Sequence, residues 1–214
     1  MPGAKVGLIE TLRVRAGRFP FLERHLARLR RSLAELGLPP VELRLGAFAR
    51  GPDRAVRIQL VDGAVDVTTR DVTDRSPVVI IAAEPHAPYP RKTTQRAPFE
   101  RALAEAQRAS ADDALLVTPG GTVAEGTAWS LFWWESDGLR TPAADLGVLP
   151  GVGRGRVMEL AAVREARVSP VALVGRSAFL VNAVRGIVPL ASLAGHAVPP
   201  DPRTAELSRR FWPD

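Results

Sequence analysis

Three prolines between Pro85 and Pro90, in the stretch EPHAPYPRK, divide the chain more sharply than any other feature. Proline lacks a backbone N–H and has a fixed φ, so neither a helix interior nor a central strand runs through such a segment. A stiff extended connector is predicted over 85–92, with a smaller α/β lobe before it (1–84) and a larger lobe after it (93–214). The 214 residues, 46% hydrophobic and 24% charged, have the balance of a globular protein with a sizeable core. The predicted class is α+β in two lobes, and the junction between them is where a cleft is expected.

Within the first lobe VGLIETLRV reads as a strand. Leu22, Leu26, Leu29, Leu33 and Leu36 then recur at steps of four and three, the pattern of an amphipathic helix that stops at GLPP. VELRLGAFAR is predicted as a short helix. AVRIQLVDGAVDVTTRDV is a hairpin turning at Asp62-Gly63, and PVVIIAA is a buried strand closing the lobe. Beyond the connector, APFERALAEAQRAS is a helix with Pro98 in its first turn. DDALLVTPGGTVAEGTAWSLFWWESDGLRTP is a run of short strands, in which adjacent Trp133 and Trp134 face opposite sides, one of them toward the core. GVGRGRVMELAAV is a helix entered from a glycine-rich loop, followed by further strands and turns.

Several functions are argued against by composition. There is no cysteine, and His25, His86 and His196 are too scattered for a zinc site, so no metal is expected. The net charge of +6 raises nucleic acid as a partner, but the densest cluster, ERHLARLRRS, is the solvated face of the leucine-seamed helix, and no interleaved aromatics accompany it. No membrane association is expected, because the longest aliphatic run, VVIIAA, is far too short to cross a bilayer. The N-terminal stretch has no apolar run of signal-peptide type, and a cytoplasmic protein is expected.

Chemistry is suggested by four features. Of 29 basic residues only Lys5 and Lys92 are lysines, so Lys92, at the end of the connector, stands out as an amine where the chain otherwise uses arginine. An amine can condense with an aldehyde or act as a base; a guanidinium does neither. Glu125, in the apolar stretch GGTVAEGTAWSLF, must lie exposed at a turn or be paired with a cation, such as a protonated pyridine nitrogen. The loop LPGVGRGR leads into a helix whose first N–H groups attract anions, phosphate in particular. Arg28 lies slightly off the leucine seam, free either to be solvated or to reach inward to an anion.

Taken in order, HLARL, KTTQR, TVAEGTAWSLF, LRTP, GVLPGVGR and FLVNAVRGIVP resemble the class IV (fold type IV) pyridoxal-phosphate enzymes over nearly the whole chain. That family includes branched-chain and D-amino-acid aminotransferases and 4-amino-4-deoxychorismate lyase. The resemblance implies a two-lobed, D-amino-acid aminotransferase-like fold with pyridoxal 5'-phosphate at the lobe junction. By it, Lys92 is the residue joined to the cofactor aldehyde and later the base, and Glu125 holds the pyridine nitrogen protonated. Arg28 and the backbone N–H groups of Val152 and Gly153 take the phosphate, Leu149 packs on the ring, and Asn182-Ala183 forms another phosphate-contacting turn. A homodimer acting on a small-molecule substrate is likewise implied.

There are also departures. The family usually opens with an extra strand and a YGDG-like turn, whereas this chain reaches GLIETLRV within fourteen residues, so a missing or rebuilt active-site wall is expected. Ala97 stands where aminotransferases often carry a tyrosine. Ser130 replaces the asparagine of NLF, and Gly153 and Ala183 lack hydroxyls that often assist phosphate binding. The missing tyrosine, Arg96 and NAVRGIVP resemble the lyase branch, which implies cleavage of 4-amino-4-deoxychorismate to 4-aminobenzoate and pyruvate. An aminotransferase for branched-chain or D-amino acids is the alternative, and a non-catalytic relative the second. Arg13, Arg96 and Arg185 are candidates for the substrate carboxylates, since planar bidentate recognition favours arginine.

Overall fold

A computed structural model describes residues 6–73 and 76–213. The first part of the chain folds as an antiparallel sheet in the order β1 (Leu8–Val14), β2 (Arg54–Val61), β3 (Ala64–Arg70), with α1 (Leu22–Glu35) packed on β1. Asp62 and Gly63, at φ of 53° and 77°, make the left-handed pair that a two-residue hairpin requires. Period two places Leu8, Glu10 and Leu12 on the same side of β1; Leu8 meets Leu29 and Leu33 of α1, while Leu12 packs with Leu45 and Ile58. The acid between the two leucines is therefore carried into the interior.

VELRLGAFAR is helical only at α2 (Gly46–Ala49). Val41, Leu43 and Leu45 recur every second residue, and that alternation packs them against the leucines of α1 and β1 without a helix.

β4 (Val78–Pro85) ends where the proline segment begins. It pairs in parallel with β5 (Asp113–Val117) and belongs to the second sheet, ordered β13-β12-β4-β5-β6, with β6 (Val123–Gly126) on one side and β12 (Ser192–Leu193) and β13 (His196–Ala197) on the other. A parallel pair needs a crossover, and α3 (Ala97–Arg108) provides it. Phe99, Ala102 and Ala106 form one helical stripe of α3, buried against Ala82, Tyr89, Ala114 and Leu116. The proline segment thus lies inside the crossover, and the first sheet ends at Arg70.

The third sheet runs β11-β10-β7-β8-β9. Its strands are β7 (Ser130–Glu135), β8 (Gly138–Pro142), β9 (Val163–Ala166), β10 (Ala178–Asn182) and β11 (Gly186–Pro189). Alternation along β7 sends Leu131 and Trp133 into the core shared with Val79, Leu115 and Leu180. Phe132 and Trp134 point the other way, into a cluster built on α4 (Val152–Leu160) and α6 (Pro202–Phe211). α5 (Pro170–Leu173) adds Leu173 to the first cluster. Among the described residues no helix is long and apolar enough to cross a membrane.

Candidate active site

One cavity takes side chains from all three sheets. The eight residues that the family resemblance gives to the cofactor line it: Arg28, Lys92, Glu125, Leu149, Val152, Gly153, Asn182 and Ala183.

Lys92 is held by its backbone rather than by its side chain. Its carbonyl accepts from Ile9 N–H at 2.8 Å, and two residues on Thr94 N–H donates to Gly7 O at 2.9 Å, so the end of the connector lies along β1 as a short extra strand. Burial, and then the positive charges of Arg28 and Arg96, lower the Lys92 amine to about 7, against a smaller opposing pull from Glu10. An amine so placed is half neutral near physiological pH and can act as nucleophile or base.

Arg28 is turned inward, not solvated. Its Nε and Nη2 donate to Glu10 Oε1 and Oε2 at 2.9 and 2.6 Å, a bidentate pair, and His25 Nδ1 lies 2.7 Å from Oε2. Burial pushes Glu10 up, but Arg28 and His25 outweigh it and hold the carboxyl at about 2. Nη1 remains directed at the Pro150 carbonyl, 3.4 Å away, beside the start of α4. There Gly151 caps α4 with no side-chain hydrogen bond, so the first N–H groups of the helix are not met by a capping side chain. An arginine next to an open helix N-terminus is the donor set that suits a phosphate.

The two lost hydroxyls have different settings. A Cβ at Gly153 would stand 2.8 Å from Asn182 C and 2.9 Å from its Cα, so no side chain fits between α4 and β10. Asn182 spends its own Oδ1 on Val184 and Arg185 N–H, at 3.0 and 2.8 Å, closing the turn that carries Ala183.

Glu125 is buried on β6. Its Oε1 lies 3.0 Å from His86 Nε2, and Leu149 N–H donates to both oxygens at 3.1 and 3.2 Å. Burial raises this carboxyl above its ordinary range, and His86, the Leu149 amide and Lys92 offset only part of that rise. The cation proposed by sequence as its partner is thus joined by a histidine that sequence reasoning missed; a lone His in a proline-rich segment has no periodicity to mark it.

A group of arginines occupies the cavity as well. The register pairs Thr11 with Arg57, Arg57 with Thr68, and Ala55 with Arg70, which puts Thr11, Arg57 and Arg70 on one face of the first sheet. Arg96 completes the group, with its guanidinium over the rings of Phe99 and Tyr89 and Nη2 donating to Thr127 O at 2.6 Å. Among the described residues no carboxylate forms an ion pair with Arg57, Arg70 or Arg96, and Arg57 is depressed by burial and then by the charge of Arg96. Of the arginines proposed from sequence only Arg96 lines this cavity; Arg13 pairs with Asp53 at 3.1 Å, and Arg185 lies over Trp129. Arg57 was missed because alternation in AVRIQLV reads it as a solvated position. Among the described residues no group of His, Asp and Glu is arranged to hold a metal.

The folded chain has many solved counterparts. A protein provisionally assigned as a 4-amino-4-deoxychorismate lyase is 28% identical, superposing with a TM-score of 0.82 over 99% of this chain and 91% of the other. A provisional branched-chain amino acid aminotransferase from Thermotoga maritima gives 26% identity and a TM-score of 0.86 over 96% and 84%. A hypothetical aminotransferase from Mycobacterium tuberculosis in its pyridoxal-phosphate-bound form, 22% identical, shares the fold with a TM-score of 0.84 over 96% and 88%. No curated protein matches significantly. The sequence profile of amino-transferase class IV matches residues 7–47 and 64–193, which include Lys92 and the strands and turns around it. The chain therefore belongs to the class IV aminotransferase family of pyridoxal-phosphate-dependent enzymes.

Proposed function

We propose that this protein binds pyridoxal 5'-phosphate and cleaves 4-amino-4-deoxychorismate to 4-aminobenzoate and pyruvate. The observation that carries the lyase reading is the group Arg57, Arg70 and Arg96, which has no carboxylate in an ion pair among the described residues, in the same cavity as Lys92. A branched-chain substrate has one carboxylate and an apolar side chain, and would leave most of that charge unmatched. A substrate with two carboxylates matches it, and the half-buried guanidinium groups of Arg57 and Arg96 would be stabilised by such pairing, with Arg70 exposed on the same face.

The residues present fit the cofactor. Arg28 and the opening N–H groups of α4 would hold its phosphate, Leu149 its ring face, and Glu125 the N–H of its protonated pyridine ring. When bound, pyridoxal phosphate supplies an aldehyde and a ring that withdraws electrons from the attached carbon. Lys92 is the residue that would hold the cofactor through its aldehyde, and its amine, once free, would take the proton from the amine-bearing ring carbon. Departure of the enolpyruvyl oxygen from the neighbouring carbon leaves an aromatic ring, and the enolpyruvate takes a proton to become pyruvate. The arginines fix the carboxylates so that this proton faces Lys92.

The reading extends to a homodimer, supported by the exposed face and free outer edge of β3, since exposed strand edges are normally covered. We place the protein in the cytoplasm on the strength of its composition alone.

The experiment is incubation of the purified protein and pyridoxal phosphate with 4-amino-4-deoxychorismate, and separately with D-alanine or a branched-chain amino acid plus 2-oxoglutarate. Formation of 4-aminobenzoate that disappears in Lys92→Ala supports the lyase. Amino-group transfer without 4-aminobenzoate moves the assignment to an aminotransferase, which the 26% identity to the Thermotoga maritima protein keeps in view. Neither product, and no cofactor bound, leaves the non-catalytic relative.

A further inference from the structure

We propose that His86 is a positioning residue that favours the ionised form of Glu125, donating Nε2–H to Oε1 and leaving the carboxylate's remaining acceptor positions open toward the cavity. This rests on the reading that Glu125 meets the pyridine nitrogen of the cofactor.

His86 is locked in place. Its backbone N–H donates to Val117 O at 2.8 Å, tying the start of the connector to β5, and its ring stands edge-on to Phe99 at 6.4 Å. The side chain is 0% exposed, so the imidazole meets protein rather than bulk water. Its tautomer follows from the partners. Nδ1 is buried with no hydrogen-bond partner among the described residues, whereas Nε2 faces Glu125 at 3.0 Å. A proton on Nδ1 alone would orphan a buried donor and turn the Nε2 lone pair against a carboxylate oxygen. A proton on Nε2 makes the one donor available and leaves only a bare nitrogen acceptor unmatched, the cheaper defect.

Glu125 needs that donor. From the elements around it come the Leu149 N–H, the Lys92 amine and the His86 ring; burial otherwise favours the neutral acid. A neutral carboxyl would not stabilise a protonated pyridine ring, so the charge on Glu125 is the property that matters for the site. His86 reaches the cavity only through Glu125, which makes it a positioning and not a catalytic residue.

Two variants and two readouts test this. His86→Phe keeps an aromatic ring against Phe99 and removes the donor; His86→Gln can place an amide N–H near the position of Nε2. In cofactor-free protein labelled with ¹³C at the glutamate carboxyl, with Glu125→Gln assigning the signal, Glu125 is expected to titrate at a higher pH in His86→Phe than in wild type or His86→Gln. A Glu125 titration that His86→Phe leaves unmoved overturns the proposal. In the second readout, His86→Phe is expected to weaken binding of pyridoxal phosphate about tenfold, while barely changing that of an analogue with carbon in place of the ring nitrogen. Equal loss for both molecules would make His86 merely structural and overturn its role toward the nitrogen. If wild type binds neither molecule, the cofactor reading fails by itself, and the carboxyl titration still decides whether His86 favours the ionised form of Glu125.

Discussion

Lys92 is a destabilising residue by design of its surroundings. An amine lowered from 10.5 to about 7 is protonated in both folded and unfolded chains below about pH 7, and there the folded state bears the full cost of the buried charge. Between about pH 7 and 10.5 the unfolded chain binds the extra proton, so this group's contribution to stability rises with pH. Lys92→Met should therefore stabilise the cofactor-free protein by about 1–3 kcal/mol at pH 6.5 and by much less near pH 10, as read by urea denaturation at the two pH values. Glu10 has the opposite sign. Held at about 2 by Arg28 and His25, it contributes stability that is complete above its usual 4.5 and is lost as pH falls through about 2. Glu10→Gln, which leaves Arg28 buried without its counter-ion, should cost about 3 kcal/mol at neutral pH in the same measurement. Lys92 and Glu125 were legible in sequence because each is the wrong residue type for its neighbourhood. Glu10 sits between Leu8 and Leu12 under the same logic, and was passed over because one acid in a short strand is usually a solvated one.

At the level of elements, local pattern was readable and pairing was not. The α1 seam, the β2–β3 hairpin and α3 all form where periodicity places them. A proline cluster follows β4 directly, whereas its partner β5 lies beyond α3, and a parallel crossover leaves no local mark. The same nonlocality hid Arg57 and Arg70, which become neighbours only through strand register. Arg57→Gln should raise KM for a dicarboxylate substrate about tenfold with a smaller effect on kcat, and leave pyridoxal-phosphate affinity unchanged; steady-state kinetics and a cofactor titration check both parts. Gly153 is where an element contact limits the site. Gly153→Ser adds a hydroxyl near the proposed phosphate position but drives its Cβ into the Asn182 backbone, so it should lower thermal stability by about 1–3 kcal/mol and fail to tighten cofactor binding.

Across the whole molecule the cavity is closed only when three sheets meet, and none of them holds the site alone. The proposed homodimer predicts a mass near twice 23.0 kDa by light scattering. The backbone clamp between Lys92 and Ile9 divides the site in an unexpected way. Lys92 comes from the crossover of the second sheet, yet it is fastened to the first, alongside Arg57 and Arg70. Glu125, His86 and the start of α4 belong to the other two. If the first sheet tilts on the rest, Lys92, Arg28, Arg57 and Arg70 would travel as one jaw, while Glu125, His86 and the start of α4 stay with the other. Opening such a site would change the bite of the jaws and leave the spacing between Lys92 and these arginines as it was.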